Sequence, residues 1–405
     1  MNEKNPIRGL LSGIRILDLA DEKASFCSRI LADLGACVIK VEKPGGDPSR
    51  KIGPFTDNLP QSLRSLSFYH NNLNKFGITL DIDQEKGRSL FLHMVEETDI
   101  VVETFPHGYL ESIGLSFDNF QAVNPKLILV SVSGFGNTGP KSRYKSCNLV
   151  ASATGGQMYV NGSPETPPLE IFGEQSHVST SLFGAVGILI ALQKRALYGE
   201  GSHLDLSMQE SVAATLEHVF VRYFSEGIIA ERRGGRHWDD AFYIFPCKNG
   251  FMHMTLFHQW ETLIEWLDSE GMAADLKDPK WKNETFRKEN VNAVIEVLCR
   301  WTKTHTIEEM FELAQLMQFP WAPVLSPREV TEGSHLADRH FFHPVRTPET
   351  GSMTLTPGMP YKFNTQFEPA LKSAPMPGED NLEIYQNELG LSAEEIKRLQ
   401  SLGVI

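Results

Sequence analysis

The stretch Gly173 to Ser181, GEQSHVSTS, places one carboxylate, Glu174, and one imidazole, His177, just ahead of the apolar run LFGAVGILIALQKRALYGEG. These are residue types that attack carbonyls or move protons, and the run behind them reads as a helix from about 178 to 197. A helix N-terminus stabilises an anion and disfavours an extra proton on an imidazole. The plain alternative for His177 is a capping or core residue.

A second group of chemistry-bearing residues is cationic. Lys43 and Arg50 bracket KPGGDPSR, Lys75 lies in NNLNKFGITLD, and Lys141 with Arg143 follows a glycine turn. Ligands of parallel sheets bind outside the carboxyl ends of the strands, so cations there suit a phosphorylated carrier. Taken singly, each also reads as a solvated surface charge. The turn itself, GFGNTG, matches G-x-G-x-x-G directly after a strand. Pro140 and KSRYKSCN follow it in place of a helix, and no Asp occurs before Asp205, so it reads as a turn and not as a dinucleotide site.

The elements that must position these groups alternate. GIRILDLA is a strand, ASFCSRILADLGA an amphipathic helix closed by Gly35, and CVIKVEKPGGDP a strand entering a turn. EKGRSLFLHMVEET, DIVVETF, GYLESIGLSFDNFQAVNP and KLILVSVSGFG repeat helix, strand, helix, strand, and SHLDLSM adds another strand. Such alternation implies a parallel sheet covered on both faces. AFYIFPCKNGFMHMTLF then reads as a hairpin turning at Lys248-Asn249-Gly250, followed by helices rich in Trp and Glu. The expected organisation is a large domain at 1–227, a smaller one at 228–318, and a return segment at 319–405 that ends in a helix capped by Ser392 and Glu395.

The chain has 405 residues, enough for two or three domains, and a net charge of −13, which disfavours nucleic acid or an anionic membrane as the main partner. Five scattered cysteines with no C-x-x-C pair give neither a disulfide framework nor a zinc site, and no metal is expected. The N-terminus MNEKNPIRGLLSG lacks the apolar run of a signal peptide. Leu182 to Leu192 is interrupted by two glycines and is shorter than the ~20 residues of a membrane span, so it reads as a buried helix of a cytoplasmic protein.

In their order along the chain, GIRILDLADEKASFCSRILADLGACVIKVEKPGGDPSR, NKFGITLD, DIVVETFPHGYLESIGL, LVSVSGFGNTGP, LYGEGSHLDLSMQESV and GEDNLEIYQNELGLSAEEIKRLQSLGVI resemble the family III CoA-transferases, a group that includes carnitine and formyl-CoA transferases and shares its fold with alpha-methylacyl-CoA racemase. The resemblance spans nearly the whole chain. It implies an α/β fold: a doubly wound parallel-sheet large domain with an inserted smaller α+β domain, two chains interlocked as rings, and an active site between the large domain of one and the small domain of the other. The substrates it implies are an acyl-CoA thioester and a carboxylic acid, with no permanently bound cofactor.

The family nucleophile is an aspartate that opens a helix in a pattern close to D-x-S-x-G-x-F, and its carboxylate passes CoA between two acids through an anhydride and an enzyme thioester. His177 of HVSTSLF holds that position here. Imidazole lacks the carboxyl carbon that the thiolate must attack. Glu174 lies three residues upstream, ~10 Å away if the segment is extended. Thr104, Pro106, Ser112 and Ser146-Cys147-Asn148 also depart from family patterns, whereas Lys43, Lys75 and Phe105 stand at CoA-contact positions. The resemblance therefore points to a non-catalytic subunit of a two-subunit enzyme, similar to benzylsuccinate CoA-transferase, paired with a catalytic paralogue and using succinyl-CoA. In that role Arg232, Arg233, Arg236, His237 and Tyr243 would face the partner's substrate. The alternatives are an active homodimer using Glu174, or a racemase-like enzyme, whose acid/base pair would need a His near 147 and an Asp at 177.

Overall fold

A computed structural model describes residues 9–237, 241–347, 351–364 and 371–405. The chain divides into two compact units, one of residues 1–158, 170–229 and 338–405, the other of 159–169 and 230–337.

The larger unit is built on six strands: β1 (Arg15–Asp18), β2 (Cys37–Glu42), β3 (Phe76–Thr79), β4 (Ile100–Glu103), β5 (Ile128–Ser133) and β6 (Ser202–Ser207). They are all parallel, in the order β3-β2-β1-β4-β5-β6. Side chains alternate between faces along each strand. Ile16, Val38, Ile100 and Val130 pack with Cys27, Leu31 and Ile188, while Leu17, Ile39, Val101 and Leu129 pack with Phe91, Phe120 and Tyr385. Both faces are therefore apolar, and the strand order reverses between β1 and β4, which makes that crevice the switch point where such sheets take ligands. Sequence pattern alone misses β3, a strand of four residues.

Four helices matter to the site: α1 (Ser25–Asp33), α2 (Glu85–Val95), α3 (Phe117–Val123) and α4 (Gln175–Tyr198). The segment expected as one helix from 108 to 125 is two, because Gly114 takes a left-handed φ of 77° between them. Along α4 the two interrupting glycines permit close packing: a Cβ at Gly184 would stand 3.0 Å from Cys27 Sγ, and one at Gly187 2.8 Å from Leu204. The other side of α4 is not buried within the chain, with Val186 54% and Ile190 64% exposed, so the expectation of a buried helix holds for one face only. It is the one helix among the described residues long and apolar enough to cross a membrane, at a mean hydropathy of 1.4.

The smaller unit carries an antiparallel sheet, β10-β9-β8-β7, of β7 (Arg236–His237), β8 (Phe242–Pro246), β9 (Phe251–Thr255) and β10 (Ala322–Pro323). The hairpin turns where Asn249-Gly250 predicts, with Cys247 N–H donating to Gly250 O at 2.8 Å. Its core holds Trp260, Trp266, Trp301 and Trp321. Glu270 accepts the indole N–H of Trp266 and of Trp301, each at 2.7 Å. The unit runs past 318 because β10 pairs with β9 and buried Trp321 donates to Thr255 Oγ1 at 2.8 Å.

Candidate functional site at the first turn of α4

Helix α4 begins earlier than the apolar pattern suggests. Val178 N–H donates to Glu174 O at 3.0 Å, so Glu174 is the N-cap and His177 the third helical residue. Asn148 fixes the turn from outside, its Oδ1 accepting from Ser176 N–H at 2.9 Å. Three residues of helix rise about 4.5 Å, whereas an extended strand covers ~10 Å. The Glu174 carboxylate consequently folds back over the turn and lies 3.1 Å from His177 Nδ1, which overturns the expectation that the two stand far apart.

The pair is electrostatically asymmetric. Glu174 is 41% exposed at its side chain, while the His177 side chain is 7% exposed. The hydrogen bond from His177 holds the Glu174 carboxyl below its ordinary range. An ionised carboxylate only accepts, so Nδ1 is the donor in this contact. Nε2 is buried without a hydrogen-bond partner, as is Ser181 Oγ one turn further along the same face. Burial raises the Glu22 carboxyl, with Asp21 adding to the rise and His177 among the groups that oppose it. The β1–α1 loop thus brings a carboxylate into electrostatic reach of the imidazole, which sequence reasoning missed; the charged run Asp21-Glu22-Lys23 was the available signal.

The cations fall into three kinds. Lys75 and Arg50 are buried and fully engaged within the chain. Lys75 Nζ donates to Asp18 Oδ2 at 2.7 Å, Ser25 O at 2.8 Å and Asn72 Oδ1 at 2.8 Å, using all three of its protons. Arg50 forks onto Glu42 at 2.7 and 2.6 Å and stacks on Phe68, 3.8 Å from its ring centre. Lys43 is 52% exposed at its side chain but pairs with Asp83, which also takes the Tyr109 hydroxyl. Lys141 and Arg143 are exposed after the glycine turn, which is held by Asp205 accepting Asn137 N–H at 2.9 and 2.8 Å.

Phe105 packs on Tyr109 with ring centres 4.6 Å apart and lines a pocket with Glu103, His107, Ser131 and Asn137. Burial pushes the Glu103 carboxyl up to about 7. Its Oε2 accepts Phe105 N–H at 2.7 Å, and neighbouring Ser131 Oγ lies 2.9 Å from His203 Nε2.

In the smaller unit Arg232 Nε donates to Ser163 O at 3.3 Å and its Nη1 to Tyr159 O at 3.1 Å, while Arg236 donates to Asn292 Oδ1. His237 lies edge-on to His253, and Tyr243 edge-on to Phe245. Cys147 is exposed at the N-cap of Asn148–Thr154, so no imidazole stands at the place where a racemase-like pair would need one.

The profile of CoA-transferase family III matches residues 11–381. The chain belongs to CoA-transferase family III. It is 30% identical over 403 residues to the BbsE subunit of succinyl-CoA:(R)-benzylsuccinate CoA-transferase from Thauera aromatica, covering 97% of this chain and 98% of that one. It is 31% identical over 391 residues to succinyl-CoA:mesaconate CoA-transferase from Haloarcula hispanica, covering 93% and 96%. Among solved structures, a CAIB/BAIF family protein from Brucella suis superposes with a TM-score of 0.82 at 26% identity, covering 94% and 99%. The doubly wound sheet is thus the family III fold, and the chemistry that goes with it is CoA transfer from a thioester to an acid. Within this family III chain, the first turn of α4 presents an oriented imidazole, and the carboxylate beside it comes from the N-cap.

Proposed function

We propose that this chain is the non-catalytic subunit of a heteromeric, cytoplasmic CoA-transferase that moves CoA from succinyl-CoA to a dicarboxylic or aryl acid such as benzylsuccinate. The observation that carries the reading is His177: buried at the head of α4, it offers no carboxyl carbon for a covalent relay between two thioesters. A paralogous subunit with Asp at that position supplies the relay. Support for such a partner comes from the exposed apolar side of α4, where Leu182, Val186 and Ile190 form a stripe that a subunit of like fold can cover. The likeness to a named subunit of a benzylsuccinate enzyme supports the same assignment.

In this reading CoA contacts fall to Phe105, Lys141 and Arg143, with Lys43 available once Asp83 releases it, while Lys75 and Arg50 support that surface from beneath. Arg232, Arg233, Arg236, His237 and Tyr243 face the partner's substrate. The test is to assay CoA transfer from succinyl-CoA by the chain alone and together with its Asp-bearing paralogue, trapping any acyl-enzyme by mass spectrometry. Transfer is expected only from the pair, with the acyl adduct on the paralogue.

One observation favours a second reading, the 3.1 Å approach of Glu174 to the imidazole, which brings a carboxylate to the right turn of the helix. If Glu174 is the nucleophile of an active homodimer, the chain alone transfers CoA and Glu174→Gln abolishes it.

A further inference from the structure

We propose that the Glu174–His177 pair is a general base and that this chain hydrolyses an acyl-CoA thioester. The inference rests on the reading above that this chain binds an acyl-CoA but transfers no CoA, and it adds that the thioester reaches the first turn of α4 and is hydrolysed there. Replacing a carboxylate by an imidazole removes one chemistry and supplies another. Glu174 accepts from Nδ1 at 3.1 Å, which fixes the tautomer and leaves the Nε2 lone pair as the reactive site. The same carboxylate stabilises the imidazolium that forms when Nε2 takes a proton, the division of labour found in hydrolytic triads.

Two features separate this from a satisfied core histidine. Buried polar atoms are nearly always partnered, yet Nε2 has no partner in the chain. Ser181 Oγ, four residues on and on the same helix face, is buried and unpartnered as well, so two unsatisfied polar atoms lie one turn apart on α4. The N-cap and the first turn also place the partial positive end of a 24-residue helix beside the pair, where it favours negative charge developing on a carbonyl oxygen and opposes the proton on Nε2, an opposition that the Glu174 carboxylate offsets.

The step balances with water as the sole co-reactant. Nε2 takes a proton from water while the water oxygen bonds to the thioester carbonyl carbon. The carbon–sulfur bond breaks with its electron pair on sulfur, and the proton on Nε2 passes to the thiolate. The products are a carboxylic acid and free CoA. Because His177 is 6% exposed, the reaction requires the first turn to open and admit water and the acyl group.

The experiment incubates the full-length chain, alone and with its Asp-bearing paralogue, with succinyl-CoA in ¹⁸O-labelled water, reading free thiol and the label in succinate. The expected result is thiol release by the chain alone above the buffer rate, with one labelled oxygen per succinate. His177→Gln is expected to lower it at least tenfold. Glu174→Gln should lower it less and displace the limb of the pH–rate profile, and Glu174→Asp should restore part of it, which marks Glu174 as a positioning residue. Circular dichroism of each variant separates lost chemistry from lost fold, and should His177→Gln fail to fold, the Glu174 variants decide. Thiol release no faster than buffer, release unchanged by His177→Gln, or deuterium exchange at the acyl α-carbon without thiol release would each overturn the inference. If the pair transfers CoA while hydrolysis is absent, the inference fails and the subunit reading stands; if no transfer occurs in any combination, the reading itself fails.

Discussion

Two regions of the larger unit bury ionisable side chains, and they treat them in opposite ways. Around the carboxyl end of β1, Asp18, Lys40 of β2, Asp47 after β2 and Lys75 just ahead of β3 are nearly or wholly buried and every one has partners. Asp18 takes Lys75 at 2.7 Å and Ser28 at 2.6 Å, and Lys40 pairs with Asp47 at 3.0 Å. Burial alone would raise the Asp18 carboxyl, but Lys75 and Lys40 outweigh it and hold it low. At the head of α4, His177 is buried just as deeply with one ring nitrogen partnered and the other not. The difference teaches that a charged residue near a strand end is no guide to a ligand until its bonds are counted. A saturated cation holds the fold, and a half-satisfied group is where chemistry remains available.

That comparison breaks most readily at Lys75. Replacing it by Met leaves Asp18 buried without its ion-pair partner, and removing one partner of a buried pair costs about 3–5 kcal/mol. Urea denaturation of Lys75→Met should show a loss of that size; a loss below about 1 kcal/mol, with weakened CoA binding instead, would return Lys75 to the ligand site.

Glu103 lies between the two extremes, hydrogen-bonded yet poorly solvated. Its folded carboxyl sits at about 7 against an ordinary 4.5, so the folded state holds the proton more tightly than the unfolded one. The stability it contributes is therefore complete below the unfolded value and is lost as pH rises through the folded one, by up to roughly 3 kcal/mol. Thermal melts across that window should show the decline in the native chain and a flatter profile in Glu103→Gln.

The smallest effect is expected at the surface. Asp83→Asn removes the partner of Lys43, an exposed pair worth about 0–1 kcal/mol, so stability should hardly change while the freed ammonium tightens CoA binding by roughly twofold to fivefold. Calorimetric titration with CoA checks this, and unchanged affinity would show that Lys43 does not meet a phosphate.

The alternation of strands and helices, the Asn-Gly hairpin and the Ser392–Glu395 capping box are local signals, and each is where the pattern puts it. Glu174 and His177 were also legible as residue types. Their approach was not, because it depends on where α4 starts, and that start is set by the hydrogen bond that Ser176 N–H donates to Asn148, 28 positions earlier. The saturation of Lys75 and Arg50 was equally hidden, since it needs Asp18, 57 positions from Lys75, and Pro375, 325 positions from Arg50. β3 is no shorter than the legible β1 and β4, but its FGIT offers only two apolar side chains and a glycine, which weakens a strand signal.

The outer strand β3 has a consequence for how the chain is made. Its edge is closed by residues that leave the ribosome some three hundred positions later: Asp380 accepts from Gly77 N–H at 2.7 Å, Asn381 from Thr79 N–H at 2.9 Å, and the Tyr385 hydroxyl donates to Thr79 O at 2.7 Å. At ~5–20 residues per second, a nascent chain spends tens of seconds with this rim of the sheet uncovered. Synthesis speed and chaperone supply, more than equilibrium stability, should therefore govern how much of this polypeptide escapes edge-to-edge aggregation in a foreign host.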